Sequence, residues 1–378
     1  MASLQTYSSG NGDQRHALVV IFLRGGADGL NMVVPFGDDG YYRARPRIAI
    51  NKSNAVVLDG FFGLNPLLKD LAPAYHEGAL AIVHAAGSED DTRSHFEAQD
   101  LMEHGGLVGG GWLGRFLRAQ TEGAAGPLSA VALGRAVPEC LRGAPAATVL
   151  QTLDDFSLGA KRAPLIQSLS SLYGLEQNAL GKAGRVTLDA IRRIETLRTT
   201  HYSPANNAAY GNDDFSRNLL EMARLIKARV GLQAASLDLG GWDSHFGQST
   251  IMDPLMTRLA KGLFAFYRDL GPELDRTTVV VMTEFGRRVE ENSAFGTDHG
   301  RGSIMFILGG GVQGGRVYGR WPSLTKAVLE GPGDLPVTTN YRNILAPILQ
   351  RHGRHETLAR TFPDFELQPV PIYGSMTA

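Results

Sequence analysis

The stretch HALVVIFL, from His16 to Leu23, runs directly into RGGADG, from Arg24 to Gly29. A short continuous apolar run with β-branched Val19, Val20 and Ile21 at its centre, stopped by glycine, predicts a strand buried on both faces. A second run, ALAIVHA (Ala79 to Ala85), follows a helical segment around Pro66 to Glu77. Strand, helix and strand in alternation are the pattern of a parallel sheet covered by helices. Further strands are expected near Leu128 to Leu133, Leu232 to Leu239, Thr277 to Met282 and Ser303 to Leu308. Amphipathic helices are expected over Ser94 to Glu103, Ala163 to Tyr173, Leu188 to Thr199, Asp213 to Ala228 and Thr250 to Leu270. The fold class is therefore α/β, a three-layer α/β/α sandwich with a mostly parallel central sheet.

No Pro/Ser-rich linker or charge run divides the 378 residues, so residues 16–378 read as one domain behind a polar, disordered or tag-like stretch 1–15. A formal net charge of −1 provides no basic footprint for nucleic acid. The single cysteine, Cys140, rules out an internal disulfide framework and cysteine-rich metal sites, which leaves carboxylates and the ten histidines as metal-ligand candidates. The first residues, MASLQTYSSGNGDQRH, lack an apolar signal-peptide core, and no membrane-spanning run follows. The chain as numbered reads as cytoplasmic, with periplasmic export open if a leader has been removed.

In an open parallel sheet the ligand crevice lies beyond the carboxyl ends of the strands. Four places of that kind stand out: Gly25 to Gly29 with Asp28, Gly240 to His245 with Asp243 and His245, Thr283 to Arg287 with Glu284, and the loop Gly296 to Gly300 with His299, which precedes the last strand. Any one of these acidic residues reads equally well as a turn former or helix cap beside glycine. Together Asp28, Asp243, His245, Glu284 and His299 form a candidate ligand set for a divalent ion, zinc first, manganese or calcium as alternatives. The segment Asp90 to Glu97 opens a helix, where backbone N–H groups and the positive dipole end favour an anion. Thr92 or Ser94 is the candidate nucleophile and Arg93 a candidate oxyanion clamp. The competing structural reading makes Ser94 the helix N-cap, with Glu97 closing a capping box. Arg287, Arg301 and His95 are candidate substrate-binding residues; Arg287 could equally pair with Glu290 or Glu291 on a short helix.

Four segments, FLRGGADGLNMVVP (Phe22 to Pro35), TRSHFEAQDLME (Thr92 to Glu103), LDLGGWDSHFGQ (Leu237 to Gln248) and TEFGRRVEENSAFGTDHGRG (Thr283 to Gly302), resemble the bacterial domain-of-unknown-function family fifteen-oh-one, assigned to the alkaline phosphatase and sulfatase superfamily. The resemblance implies an alkaline-phosphatase-like sandwich, with Asp28 as first-strand metal ligand, a nucleophile at Thr92 or Ser94, an Asp/His loop at Asp243 and His245, and a late histidine at His299. Glu284 falls where that superfamily carries an Asp-His pair, and Phe285 follows it, so one imidazole is missing. His95 or Asp298 is placed to compensate, or the site holds one metal. The C/S-x-P-x-R frame of formylglycine sulfatases is absent.

The functional expectation is a metal-dependent hydrolase of a small anionic phosphate or sulfate ester, with neither nucleic acid nor membrane as partner. The alternatives are a non-catalytic metal-stabilised binding or assembly protein on the same scaffold, and a metal-free carbohydrate-active enzyme using Asp28 and Glu284 as an acid/base pair.

Overall fold

The computed structural model describes residues 16–120, 125–153, 162–353 and 355–374, so the expected disordered stretch 1–15 lies outside the described residues. The central strands are β1 (Ala17–Arg24), β2 (Leu80–Gly87), β3 (Ala130–Leu133), β4 (Thr148–Leu150), β5 (Ala234–Gly240), β6 (Thr277–Met282) and β7 (Ser303–Gly309), with the short β8 (Val317–Tyr318) and β9 (Thr339–Asn340). The longer helices are α1 (His95–His104), α2 (Trp112–Ala119), α3 (Arg162–Leu175), α4 (Ala179–Thr199), α5 (Asp214–Lys227), α6 (Gln248–Leu270) and α7 (Tyr341–His352). The segment expected to be helical before β2 is a 3-10 turn, Pro66–Leu71, continued by a short α-helix, Ala72–His76.

The sheet order is β8-β2-β7-β6-β1-β5-β3-β4, with β9 also on β2. Strand β1 lies at its centre, parallel to β5 in the register Leu18 to Ala234 and to β6 in the register Ile21 to Val281. Among the described strands of this sheet only β7 is reversed, antiparallel to both β2 and β6. Its start therefore shares an edge with the ends of β1, β2, β5 and β6. That reversal carries the Gly296 to Gly302 loop to the edge where the other strands terminate.

Successive side chains of a strand point to opposite faces, and β1 separates two cores in this way. Val19, Ile21 and Leu23 pack with Leu219, Met222, Met252 and Leu259 of α5 and α6. Leu18, Val20 and Phe22 pack with Trp112, Phe116, Ile344 and Leu345 of α2 and α7. The result is the expected sandwich: helices on both faces of a largely parallel sheet.

Two histidines are built into this scaffold as neutral groups. His84 on β2 is buried, with Nε2 3.0 Å from the Val33 carbonyl, and burial lowers its pKa to about 4. His352 at the end of α7, with Nε2 2.9 Å from Thr278 Oγ1, is lowered to about 3 by the same cause. The unfolded chain takes up those protons near the ordinary histidine value of about 6.5, so it binds more protons than the folded chain below that pH. Stability is therefore expected to fall as pH drops from about 6.5 towards 4, and urea midpoints across that window should show a smaller slope for His352→Gln.

Candidate metal centre

Close backbone packing brings the strand-end loops together. Gly25 follows β1 with φ +120°, and a Cβ there would stand 2.6 Å from the Asp243 nitrogen. Gly296 presses on the His245 backbone, where a Cβ would meet its carbonyl carbon at 2.3 Å. Any larger side chain at either point would push apart the loops that carry the site.

At this edge three imidazoles surround one carboxylate. Nε2 of His245 lies 3.1 Å and Nε2 of His299 3.3 Å from Asp243 Oδ1, while Nε2 of His95 lies 3.6 Å from Asp243 Oδ2. Ligand atoms of His95, Asp243 and His299 all fall within 4.8 Å of one another. The other nitrogen of each ring is engaged by an acceptor. Glu284 Oε1 is 2.8 Å from His95 Nδ1, Asp298 Oδ1 is 3.3 Å from His245 Nδ1, and the Arg93 carbonyl is 2.8 Å from His299 Nδ1. With the proton on Nδ1, each ring satisfies its outer acceptor and turns its Nε2 lone pair inward, the tautomer a metal ligand requires; Asp243, also an acceptor, faces the same Nε2 atoms.

In that tautomer the arrangement is electrostatically incomplete by itself. Nε2 of His245 and Nε2 of His299 are 2.9 Å apart, and Nε2 of His95 is buried without a hydrogen-bond partner. Lone pairs and a carboxylate crowded together repel unless a cation lies among them. An added proton is a poor substitute: burial, then the positive charge of Arg287, hold the His299 pKa below its ordinary value. Three imidazoles with bonded outer nitrogens and a carboxylate fit a divalent metal, which these side chains could hold.

Asp243 is fixed by Arg287, whose Nη2 donates to Oδ1 at 2.8 Å. Burial alone would raise the Asp243 pKa, and the Arg287 bond and charge outweigh it, so the carboxyl lies below its usual value. The Arg287 side chain is fully buried and donates further to the carbonyls of Gly25, Gly26 and Thr297. The expected short helix at Arg287 is not formed; the residue bridges to His299 in extended conformation, and Glu291 pairs with Arg47 instead.

Glu284 is brought to the centre behind His95. Its Oε1 accepts from His95 Nδ1, Gln99 Nε2 at 2.9 Å and Gly25 N at 2.8 Å, and these bonds outweigh burial to lower its pKa. His95, expected among the substrate-binding residues, supplies an inward Nε2 where the sequence lacked an imidazole. Asp28 is not drawn into the cluster. It is fully buried, with Arg45 Nη1 donating to Oδ2 at 2.5 Å, Arg45 Nη2 to Oδ1 at 3.0 Å and Gln248 Nε2 to Oδ2 at 2.6 Å. Gln248 is in turn reached by the hydroxyls of Ser244 and Thr297, so Asp28 props the loops of the site from below. The Asp28 and Glu284 carboxylates are both buried and bonded to protein groups, which does not suit the metal-free acid/base reading.

Ser94 is the N-cap of α1, accepting from Glu97 N at 3.5 Å. The capping box closes indirectly: the Glu97 carboxylate accepts from Thr92 Oγ1 at 2.6 Å, and Thr92 Oγ1 accepts from Ser94 N at 3.2 Å. Arg93 is ion-paired with buried Asp334 and Arg301 with Glu330. Cys140 is buried beside Ser236, and burial raises its thiol pKa.

Residues 78–362 match the family described as Protein of unknown function (DUF1501). The chain belongs to the DUF1501 family. No curated protein matches this DUF1501 chain. Among solved structures it is similar to the PH0037 protein from Pyrococcus horikoshii at 12% identity, covering 79% of this chain and 88% of that one, with a TM-score of 0.30. It is also similar to BT1596, a 2-O GAG sulfatase, at 8% identity (80% and 66% covered, TM-score 0.33). A third is an alkaline phosphatase from the Antarctic bacterium TAB5, at 9% identity (78% and 92% covered, TM-score 0.31). These likenesses are distant, and the α/β class of the DUF1501 chain rests on its own strand order. No helix among its described residues is long and apolar enough to cross a membrane.

Proposed function

We propose that this DUF1501 chain is a metal-dependent hydrolase of small phosphate or sulfate esters, its ion held by His95, Asp243, His245 and His299. The observation that carries the reading is the convergence of three Nε2 atoms on the Asp243 carboxylate, with every Nδ1 held from outside. A donor set of three imidazoles and one carboxylate suits zinc better than calcium, which takes six to eight oxygens. When bound, such an ion supplies Lewis acidity towards an ester oxygen and lowers the pKa of a nearby hydroxyl or water.

The chain's own groups account for the remaining requirements. Thr92 or Ser94, at the start of α1, is the proposed nucleophile, and Thr92 already directs its proton to Glu97 at 2.6 Å. Arg93, with 36% of its side chain exposed, and Arg301 provide positive charge for the anionic substrate while Asp334 and Glu330 hold them in place. Arg287 acts on Asp243, and Asp28 with Arg45 supports the loops beneath. Phe285, with its ring centroid 4.9 Å from that of His95 and 4.8 Å from that of His299, backs the two imidazoles with an apolar wall.

The test is turnover of aryl phosphate and aryl sulfate by chelator-treated protein before and after zinc is restored. Metal-dependent hydrolysis of either ester is the expected result. Stoichiometric metal with no turnover of any ester would favour the non-catalytic binding or assembly protein. Glu284→Gln should keep the fold and weaken metal affinity about ten- to a hundredfold by releasing His95, as chelator competition would show. An unchanged affinity would mean that Glu284 does not orient a ligand.

A further inference from the structure

Helix α1 turns a polar row towards the strand ends, beside its buried Ala98 and Met102. His95, Gln99 and Glu103 follow one another at four-residue spacing, which places them on one helix face. All three bond to residues that follow or end a central strand. His95 Nδ1 and Gln99 Nε2 lie 2.8 and 2.9 Å from Glu284 Oε1, just beyond β6. Gln99 Oε1 and Glu103 Oε2 accept from one nitrogen, Nη1 of Arg24 at the end of β1, at 3.0 and 2.9 Å.

These partners settle the orientation of the Gln99 amide. A carboxylate only accepts and a guanidinium only donates, so the amide nitrogen faces Glu284 and the amide oxygen faces Arg24. Arg24 is fixed from its other side, where Nε donates to Asp238 Oδ2 on β5 at 2.8 Å. Glu103 in turn accepts from Cys140 N at 3.2 Å. An unbroken run of bonds therefore leads from β5 through Arg24, Gln99 and Glu284 to the ring of His95. Gly25 N, at 2.8 Å from Oε1, and Thr283 Oγ1, at 2.9 Å from Oε2, complete the Glu284 partners. Both of those lie on the sheet side, whereas Gln99 shares its helix with His95. Gln99 thus ties the acceptor, Glu284, to the helix that carries its imidazole donor.

From this we infer that Gln99, backed by Arg24, is a positioning residue of the metal centre: it holds the Glu284 carboxylate against His95 Nδ1 and so sets where His95 Nε2 points. The inference rests on the metal-binding part of the reading above and adds to it a residue that touches none of the four ligands' inward atoms. A hydrogen-bond partner that fixes a ligand histidine contributes to metal affinity by orienting the ring, and Gln99 acts one bond further out.

The experiment compares the full chain with two variants of nearly the same side-chain length, Gln99→Glu and Gln99→Met. Each is titrated with zinc against a chromophoric chelator, its visible spectrum is recorded with cobalt(II) in place of zinc, and the metal-free protein is unfolded in urea. Gln99→Glu keeps an acceptor for Arg24 but sets a second carboxylate against Glu284, and like charges at that distance repel. Gln99→Met removes both bonds. Zinc affinity is expected to fall about tenfold in each variant, the lower end of what a ligand's hydrogen-bond partner contributes. The cobalt bands should change in position and intensity, while the urea midpoint of Gln99→Glu stays at the wild-type value. Wild-type affinity and bands in both variants would overturn the inference and leave the metal centre in place. A lower urea midpoint with unchanged cobalt bands would make Gln99 a packing residue only, which also overturns it. If Gln99→Met fails to fold, Gln99→Glu decides alone. A wild type that takes up neither cobalt nor zinc removes the metal centre itself, and the inference with it.

Discussion

His299→Ala is expected to lower metal affinity about a hundred- to a thousandfold, roughly a quarter of the binding free energy of a four-ligand zinc site. His299 touches Asp243, His245 and the Arg93 carbonyl together, so its loss removes an inward lone pair and frees the loop that carries Arg93. The main chain around it is fixed independently, with Gly300 N donating to the Gly286 carbonyl at 2.9 Å and Arg288 N to the Asp298 carbonyl at 2.9 Å. The variant should therefore fold and show its defect in competition with a chromophoric chelator. Wild-type affinity in folded His299→Ala would remove this histidine from the centre.

Asp28→Asn should act on a different quantity. The Asp28–Arg45 pair has side chains only 1% and 0% exposed, and removing one partner of a buried pair costs about 3–5 kcal/mol because the other charge is left uncompensated. A loss of that size is expected in urea unfolding, and the protein that remains folded should still carry its full complement of metal. If folded Asp28→Asn loses metal in proportion to the histidine variants, Asp28 is a ligand, as the family resemblance implies, and the proposed set of four is incomplete.

The difference between sequence and structure at Asp28 has a simple cause. An acidic residue after a buried strand and beside glycine looks like a ligand from sequence. Arg45 lies 17 residues later and Gln248 lies 220 residues later, so no local pattern shows that both carboxylate oxygens are taken. Glu284 is a related case. Its position at the end of β6 was legible, but the longer glutamate side chain reaches behind the His95 ring, and side-chain length in an unknown pocket cannot be read from a one-dimensional pattern. The signal for His95 lies in the sequence: Phe285 stands where the family resemblance implies an imidazole, and His95 is one residue able to compensate. The strands were legible because β1, β2, β6 and β7 are buried on both faces and read as continuous apolar runs. The reversed direction of β7 was not, since an apolar run carries no sign of its direction. It decides how the His299 loop reaches the edge where Asp243 and Glu284 stand.

The most direct test of the centre is X-ray absorption at the zinc edge on the wild-type protein loaded with one equivalent of zinc. The expected first shell holds three imidazole nitrogens and one carboxylate oxygen at about 2.0–2.1 Å, with the outer-ring scattering of bound histidine. A shell of oxygens without imidazole scattering would contradict the proposal that His95, His245 and His299 turn their Nε2 atoms to a common ion.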